Sequence, residues 1–156
     1  VGIFTTRMLE DFDRVIAFEP QPDNFVCLAK NAPQASRYRV ALYSGNVTGV
    51  MESPKPDNSG AWEFKTVPAK FGKMPSLAVR TLDAYAFPVV DLIKIDVQGS
   101  EFHVLKGAEQ TLKRCKPTLI VETALKDKED DRISEFLRGL KYSEKARVRK
   151  DAVFTC

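Results

Sequence analysis

Residues 91–102 carry the sequence DLIKIDVQGSEF, and this stretch decides the fold. Its almost unbroken apolar run over 92–97 is typical of a parallel strand that helices cover on both faces. Asp96 lies near the end of this predicted strand, and Gly99 permits a tight turn after it. Ligands of open α/β sheets bind at this edge of the sheet. The stretch therefore predicts a strand that places a carboxylate at a ligand site.

A helix is predicted directly after the turn. The Ser100 hydroxyl is expected to cap it, and Glu101 suits the positive end of the helix dipole. Residues 118–122, which follow Pro117, predict the next strand, and that strand ends on Glu122. The helix between the two strands has one apolar face, formed at three- and four-residue spacing by Phe102, Leu105, Ala108 and Leu112.

A similar unit opens the chain. Residues 15–18 predict a short strand that ends on Glu19 and Pro20, and a helix is predicted over 24–30. An acidic residue at the end of the second strand of a nucleotide-binding α/β fold commonly binds ribose hydroxyls. That role requires a glycine loop upstream, and the first six residues, VGIFTT, contain one glycine.

The remaining segments complete an α/β pattern. A third strand is predicted near 39–43, and the Pro- and Gly-containing segment 52–76 predicts an irregular excursion with one short strand around 62–64. Trp62 either lines a substrate pocket or covers the edge of the sheet. A helix over 130–140 precedes a terminal antiparallel hairpin, 142–148 with 152–155. We expect a mostly parallel sheet with helices on both faces and an antiparallel C-terminal edge.

Several motifs together resemble the FkbM-type methyltransferases, which use S-adenosylmethionine. The resemblance covers roughly residues 1–125, and its specificity lies in the order and spacing of the motifs. Residues 1–5 look like the tail of that family's glycine loop, and Gln98 stands where relatives often carry Glu. The other motifs are IAFEP (16–20), VAL (40–42), NSGA (58–61), TLD (81–83), DLIKIDVQGSE (91–101), LKGA (105–108) and PTLIVE (117–122).

The resemblance implies a Rossmann-like methyltransferase fold and methyl transfer from S-adenosylmethionine to a hydroxyl of a small molecule or sugar. Asp96 is then expected near the transferred methyl, where it would accept the hydroxyl proton or bind the amino group of the cofactor. Glu19 is expected to bind the ribose hydroxyls. The other cofactor-binding residues that the resemblance implies are Gly2, Phe4, Thr5, Phe18, Pro20 and Ala41.

Simpler roles stay open for several of these residues. Glu19 could be a surface acid, and Asp96 could be a structural carboxylate that caps local N–H groups. Lys94 shares a strand face with Asp96 and is expected to be a buried partner of a carboxylate such as Glu122. For His103, a solvated or core-edge role is favoured over a general base. A divalent metal on Asp96, Glu101 and Glu122 is disfavoured because the sequence has no D-x-D or H-x-x-E cluster.

Composition indicates an ordinary globular domain. The 156 residues are 44% hydrophobic and 29% charged, which predicts one domain over 1–156. No apolar run is long enough to span a bilayer and no signal segment is evident, so a cytoplasmic protein is expected. The net charge of +3 does not argue for nucleic-acid binding, and homo-oligomerisation stays open. Free thiols are expected at Cys27, Cys115 and Cys156.

Three classes of function stay open at this stage. An S-adenosylmethionine-dependent O-methyltransferase is favoured, and a non-catalytic methyltransferase-like domain with an incomplete cofactor site is the alternative. A dinucleotide-dependent oxidoreductase is disfavoured because no G-x-G-x-x-G motif occurs. The family's first strand and the front half of its glycine loop are not found in the sequence. We therefore expect the chain that starts at Val1 to bind the cofactor poorly.

Overall fold

The computed structural model describes residues 1–45, 47, 49–52, 63–66, 77–123 and 128–156. These residues form two compact units. Unit 1 is Val1–Ala41 with Val47–Val79, and unit 2 is Leu42–Asn46 with Arg80–Cys156. The expectation of one domain that lacks its first strand stays a prediction, and Trp62 lies outside the described residues.

Unit 1 is built around one parallel strand pair. Its first four elements are α1 (Ile3–Asp11), β1 (Ile16–Phe18), α2 (Pro22–Asn31) and β2 (Ser36–Tyr38). β1 and β2 are parallel, with Phe18 opposite Tyr38. Val15, Leu28, Ala32 and Ala35 form the core of the unit, and apolar side chains from α1 pack against it. This packing fixes the end of β1, where Glu19 follows.

The structure corrects two predictions in this unit. The strand beside β1 is β2, so the predicted strand over 39–43 overlaps only β3 (Ala41–Leu42). The sequence Ser-Arg-Tyr of β2 has no apolar run, and its place is set by the bond from the Ser36 N–H to the Val15 carbonyl, 2.9 Å. The second correction is α2, which begins two residues before the predicted start. The Gln21 side chain accepts the Asn24 N–H, and Pro22 suits the first helical turn.

Two further strand pairs are short. β4 (Gly49–Glu52) and β5 (Glu63–Thr66) are antiparallel, so the strand predicted around 62–64 overlaps one member of an antiparallel pair. β3 pairs with β6 (Val79–Arg80), which a 3-10 helix, Asp83–Tyr85, follows.

Unit 2 contains a four-stranded sheet in the order β7-β8-β10-β9. β7 and β8 are parallel, whereas β10 is antiparallel to both β8 and β9. The parallel pair and the antiparallel C-terminal edge are therefore confirmed, while helices on both faces of one sheet stay a prediction. The elements of this unit are β7 (Leu92–Ile95), α3 (Glu101–Lys106), α4 (Glu109–Cys115), β8 (Thr118–Glu122), α5 (Lys128–Gly139), β9 (Ser143–Val148) and β10 (Asp151–Thr155).

The single helix predicted between β7 and β8 is two helices that meet at Gly107 and Ala108. Gly107 lies against the backbone of Tyr43, because an added Cβ would be 2.0 Å from the Tyr43 carbonyl oxygen. The Asp83 carboxylate accepts hydrogen bonds from the N–H groups of Gln110, 2.9 Å, and Thr111, 2.8 Å, in the first turn of α4. The second helix therefore has its own N-terminal cap, supplied by the carboxylate of Asp83, which lies 27 and 28 residues before the two N–H groups.

Candidate active site at the strand ends

Glu19 follows the end of β1 and is held there by the backbone. Its N–H donates to the Tyr38 carbonyl, 3.1 Å, and its Oε1 accepts the N–H of Gln21, 2.9 Å. Burial raises the pKa of Glu19, while the bond from Gln21 and the positive N-terminus act in the opposite direction. A carboxylate has about four acceptor positions, so Glu19 can still receive hydroxyl donors in this place.

The other predicted cofactor residues of unit 1 lie at the start of α1, at the end of β1 and just after it, and, for Ala41, on β3. Gly2 is the N-cap of α1 with φ 87°, a left-handed conformation that favours glycine. Phe4 is 54% exposed, while Ala41 is buried. The Phe18 ring stacks on Tyr38 with centroids 5.3 Å apart. Thr5 and Pro20 are half-buried, and the cofactor roles of all these residues stay predictions.

In unit 2, Asp96 and Glu122 lie side by side at the ends of two parallel strands. The register pairs Ile95 with Val121, so the next residue of each strand is one of the two acids. The side-chain amide of Gln98 donates to Asp96 Oδ1, 2.9 Å, and to Glu122 Oε2, 3.0 Å. We call Asp96 and Glu122 the carboxylate pair.

The pKa of Glu122 lies well above that of an ordinary glutamate. A hydrogen bond with Asp96, burial and the negative charge of Asp96 raise the pKa of Glu122 to about 7. The positive charges of Lys150 and Lys94 oppose this rise. Lys150 Nζ lies 4.0 Å from Glu122 Oε1. The neighbouring carboxylate disfavours a second negative charge, so Glu122 keeps its proton to a higher pH than an ordinary glutamate does.

Glu101 fixes the turn that carries Gln98. Its buried carboxylate accepts the N–H groups of Val97, 3.0 Å, and Gly99, 2.9 Å. The prediction that the Ser100 hydroxyl caps α3 is wrong, since Ser100 makes no side-chain cap bond. The carboxylate satisfies the local N–H groups instead. Gln98, φ 54°, and Gly99, φ 93°, both have left-handed backbone, and the two bonds hold this unusual turn in place.

Lys94 is buried as expected, and it pairs with a carboxylate, that of Asp151. Its Nζ lies 2.6 Å from Asp151 Oδ1 on β10. The sheet order accounts for this pair, because β10 lies beside β8 and Asp151 is opposite Glu122. The positive charge of Lys94 also acts to lower the pKa of Glu122.

His103 lies in a core-edge setting on α3. Its ring stacks on Tyr43, 4.3 Å between centroids, and its Nδ1 is 3.2 Å from the Ser44 hydroxyl. Burial and the positive charge of Arg132 lower the pKa of His103. Within the described ranges, no group of three or more His, Cys, Asp or Glu side chains could hold a metal ion.

The site residues that sequence analysis missed are Gln98 and Glu122. From the sequence, Glu122 is treated as a strand end, a partner for Lys94 and a disfavoured metal ligand, and Gln98 is treated only as a departure from the family pattern. A signal for Glu122 was present, because adjacent parallel strands that both end on an acid bring the two carboxylates together. The left-handed conformation of Gln98, which aims its amide at both acids, has no such signal.

The family follows from the sequence as a whole. The Methyltransferase FkbM domain matches residues 4–144. The chain belongs to the FkbM methyltransferase family. Hexuronic acid methyltransferase AglP of Haloferax volcanii is 26% identical over an alignment of 153 positions, which covers 90% of this chain and 59% of AglP.

A solved structure supports the same fold. The FkbM methyltransferase of Methylobacillus flagellatus has a TM-score of 0.65 to this chain at 17% identity. The match covers 93% of this chain and 37% of that protein, so the chain spans less than two thirds of the length of each of the two relatives. Among the described residues, no helix of this FkbM-family chain is long and apolar enough to cross a membrane.

Proposed function

We propose that this FkbM-family chain belongs to an S-adenosylmethionine-dependent methyltransferase that transfers a methyl group to a hydroxyl of a small molecule or sugar. The observation that carries the proposal is the match to the FkbM domain over residues 4–144. The polar groups at the strand ends support it, because carboxylates suit both the ribose hydroxyls and the positive charges of this methyl donor. The alternative is a methyltransferase-like domain that does not catalyse the reaction.

The residues that the chain offers at these positions fit such a cofactor. Glu19 is a partly buried acceptor at a strand end, where it would hold ribose hydroxyls. Phe18 and Pro20 would shape the adenine side, and the small side chain of Ala41 would leave room for the ring. Residues 2–5 would follow the methionine part of the cofactor, with Gly2, Phe4 and Thr5 as the contacts.

Methyl transfer itself needs little from the protein. The bound cofactor supplies a sulfonium, which is already a strong electrophile. The chain contributes alignment of the acceptor oxygen, exclusion of water and removal of one proton. Asp96 would take the hydroxyl proton, helped by its position beside Glu122 and Gln98.

The acceptor class is proposed from the relative's name. AglP is a hexuronic acid methyltransferase, and a hexuronic acid is a sugar that carries several hydroxyls. We therefore propose a sugar hydroxyl, with uronic acids as the first compounds to try.

The test is transfer of a radiolabelled methyl group in the natural gene product that carries this sequence. S-adenosylmethionine would be incubated with a panel of neutral and uronic-acid glycosides, and the labelled products treated with mild alkali. A methyl ether survives this treatment and a methyl ester does not, so the fate of the label identifies the acceptor atom. Label in an alkali-stable product supports the proposal, label lost to alkali corrects the acceptor to a carboxylate, and binding of the cofactor without any transfer favours the non-catalytic alternative.

A further inference from the structure

The proposed role of Asp96 does not explain why a second acid, Glu122, lies beside it. Asp96 and Glu122 are brought together by strand register and share one amide donor, Gln98. Two adjacent acids at the end of a parallel strand pair would repel each other if both were ionised. A cation that approached the pair would remove this repulsion and make the proton on Glu122 unnecessary.

We propose that Glu122, together with Asp96, binds the positive charge of the methyl donor, and that the pair releases its proton to solvent when the donor binds. This inference rests on the proposed function, because it takes S-adenosylmethionine as the donor. It adds Glu122 to the residues that bind the donor, and it couples donor binding to the release of a proton. It also explains how Asp96 becomes a base: once the pair is fully ionised, it can accept the hydroxyl proton as the O–CH3 bond forms and the S–CH3 bond breaks.

The charged groups around the pair are consistent with this exchange. Lys150, in the turn between β9 and β10, is 4.0 Å from Glu122 and largely exposed, and Lys94 on β7 is bonded to Asp151 on β10. Glu101 on α3 faces the same turn, but it binds the backbone N–H groups of Val97 and Gly99. The two lysines ease ionisation of the pair, yet the pKa of Glu122 stays raised to about 7. At pH 6 the pair therefore holds a proton that a bound cation would displace.

The expected proton count follows from that pKa. With a pKa of about 7, Glu122 is roughly nine-tenths protonated at pH 6 and one-tenth protonated at pH 8. If the donor binds the ionised pair, about 0.9 proton is released at pH 6 and about 0.1 at pH 8. Affinity for the donor should then rise about tenfold between these two pH values.

Calorimetry measures this release directly. The natural gene product is titrated with S-adenosylhomocysteine and with S-adenosylmethionine at pH 6 and pH 8, in two buffers whose ionisation enthalpies differ. The difference in heat between buffers counts the protons. S-adenosylhomocysteine carries only the ammonium group, whereas S-adenosylmethionine carries the ammonium and the sulfonium. Comparing the two titrations therefore shows which positive charge the two carboxylates bind.

Two variants assign the proton. Glu122→Gln should still bind S-adenosylhomocysteine or S-adenosylmethionine, but without proton release at pH 6. Glu109→Gln is the matched control, since Glu109 is bonded to Lys106 and Lys113 on the surface, and it should release protons as the unchanged protein does. If Glu122→Gln does not fold, the carboxyl 13C shift of Glu122 in the unchanged protein, with and without the cofactor, gives the same information.

The outcomes separate the inference from the proposed function. Binding of both compounds without proton release at pH 6 overturns the inference and leaves the proposed function intact. Release that persists in Glu122→Gln also overturns it, because the proton would come from another group. Failure of both compounds to bind refutes the proposed function, and the inference with it.

Discussion

Replacing Glu101 with alanine tests how the structure holds the turn of the candidate site. The carboxylate accepts two backbone N–H groups, from Val97 at 3.0 Å and Gly99 at 2.9 Å. Hydrogen bonds to a charged group contribute about 1.5–3 kcal/mol each, so the two sum to roughly 3–6 kcal/mol. Loss of the buried charge also removes its desolvation cost, so we expect Glu101→Ala to lower the free energy of unfolding by about 3 kcal/mol.

Urea unfolding followed by far-ultraviolet circular dichroism measures this change. The midpoint should fall while the slope m stays the same. Glu109→Ala is the control, because Glu109 is also in the first turn of a helix but binds only surface lysines, and surface ion pairs contribute about 1 kcal/mol or less. Equal and small losses in the two variants would refute the role given to Glu101.

Three further changes test other parts of the account. Gly107→Ala should lower the free energy of unfolding in urea by about 1–3 kcal/mol, because the new Cβ would lie 2.0 Å from the Tyr43 carbonyl oxygen. Gly139→Ala is the control, since its new Cβ would have nothing within 4 Å, and equal effects of the two variants would contradict the close contact between Gly107 and Tyr43. The free energy of unfolding should fall as pH rises from about 4.5 to 7, since the folded state keeps a proton on Glu122 that the unfolded chain loses. Glu122→Gln should flatten the plot of unfolding free energy against pH in this range, and an unchanged plot would show that Glu122 titrates normally. Glu19→Ala should weaken S-adenosylhomocysteine binding roughly tenfold or more with little change in melting temperature, and unchanged affinity would make Glu19 a surface acid.

The sequence predicted best the elements whose signal is local. β8 matches its predicted bounds to the residue, because its apolar run follows the helix-breaking Pro117 and ends on an acid. The antiparallel hairpin at the C-terminus is confirmed for a similar reason, since strand alternation marks both of its arms.

Elements that depend on distant partners were harder to predict. The break between α3 and α4 depends on Tyr43 and Asp83, which lie far from Gly107 in the sequence. β2 contains Arg37 and no apolar run, and only its pairing with β1 makes it a strand.

The candidate site shows the same division. Glu19 and Asp96 were identified from their strand ends, and the FkbM match supports the family on which their roles depend. Gln98 was not identified, because a left-handed glutamine that bridges two acids needs the folded backbone of both strands. The bond from Lys94 to Asp151 likewise depends on the position of β10 in the sheet.

The most direct test of the central proposal is which cofactor the natural gene product binds. Isothermal titration with S-adenosylhomocysteine, followed by titration with NAD, compares the two classes of ligand on one sample. The account predicts saturable one-to-one binding of S-adenosylhomocysteine, competed by S-adenosylmethionine, and no binding of NAD. Saturable binding of NAD with no binding of S-adenosylhomocysteine would contradict it.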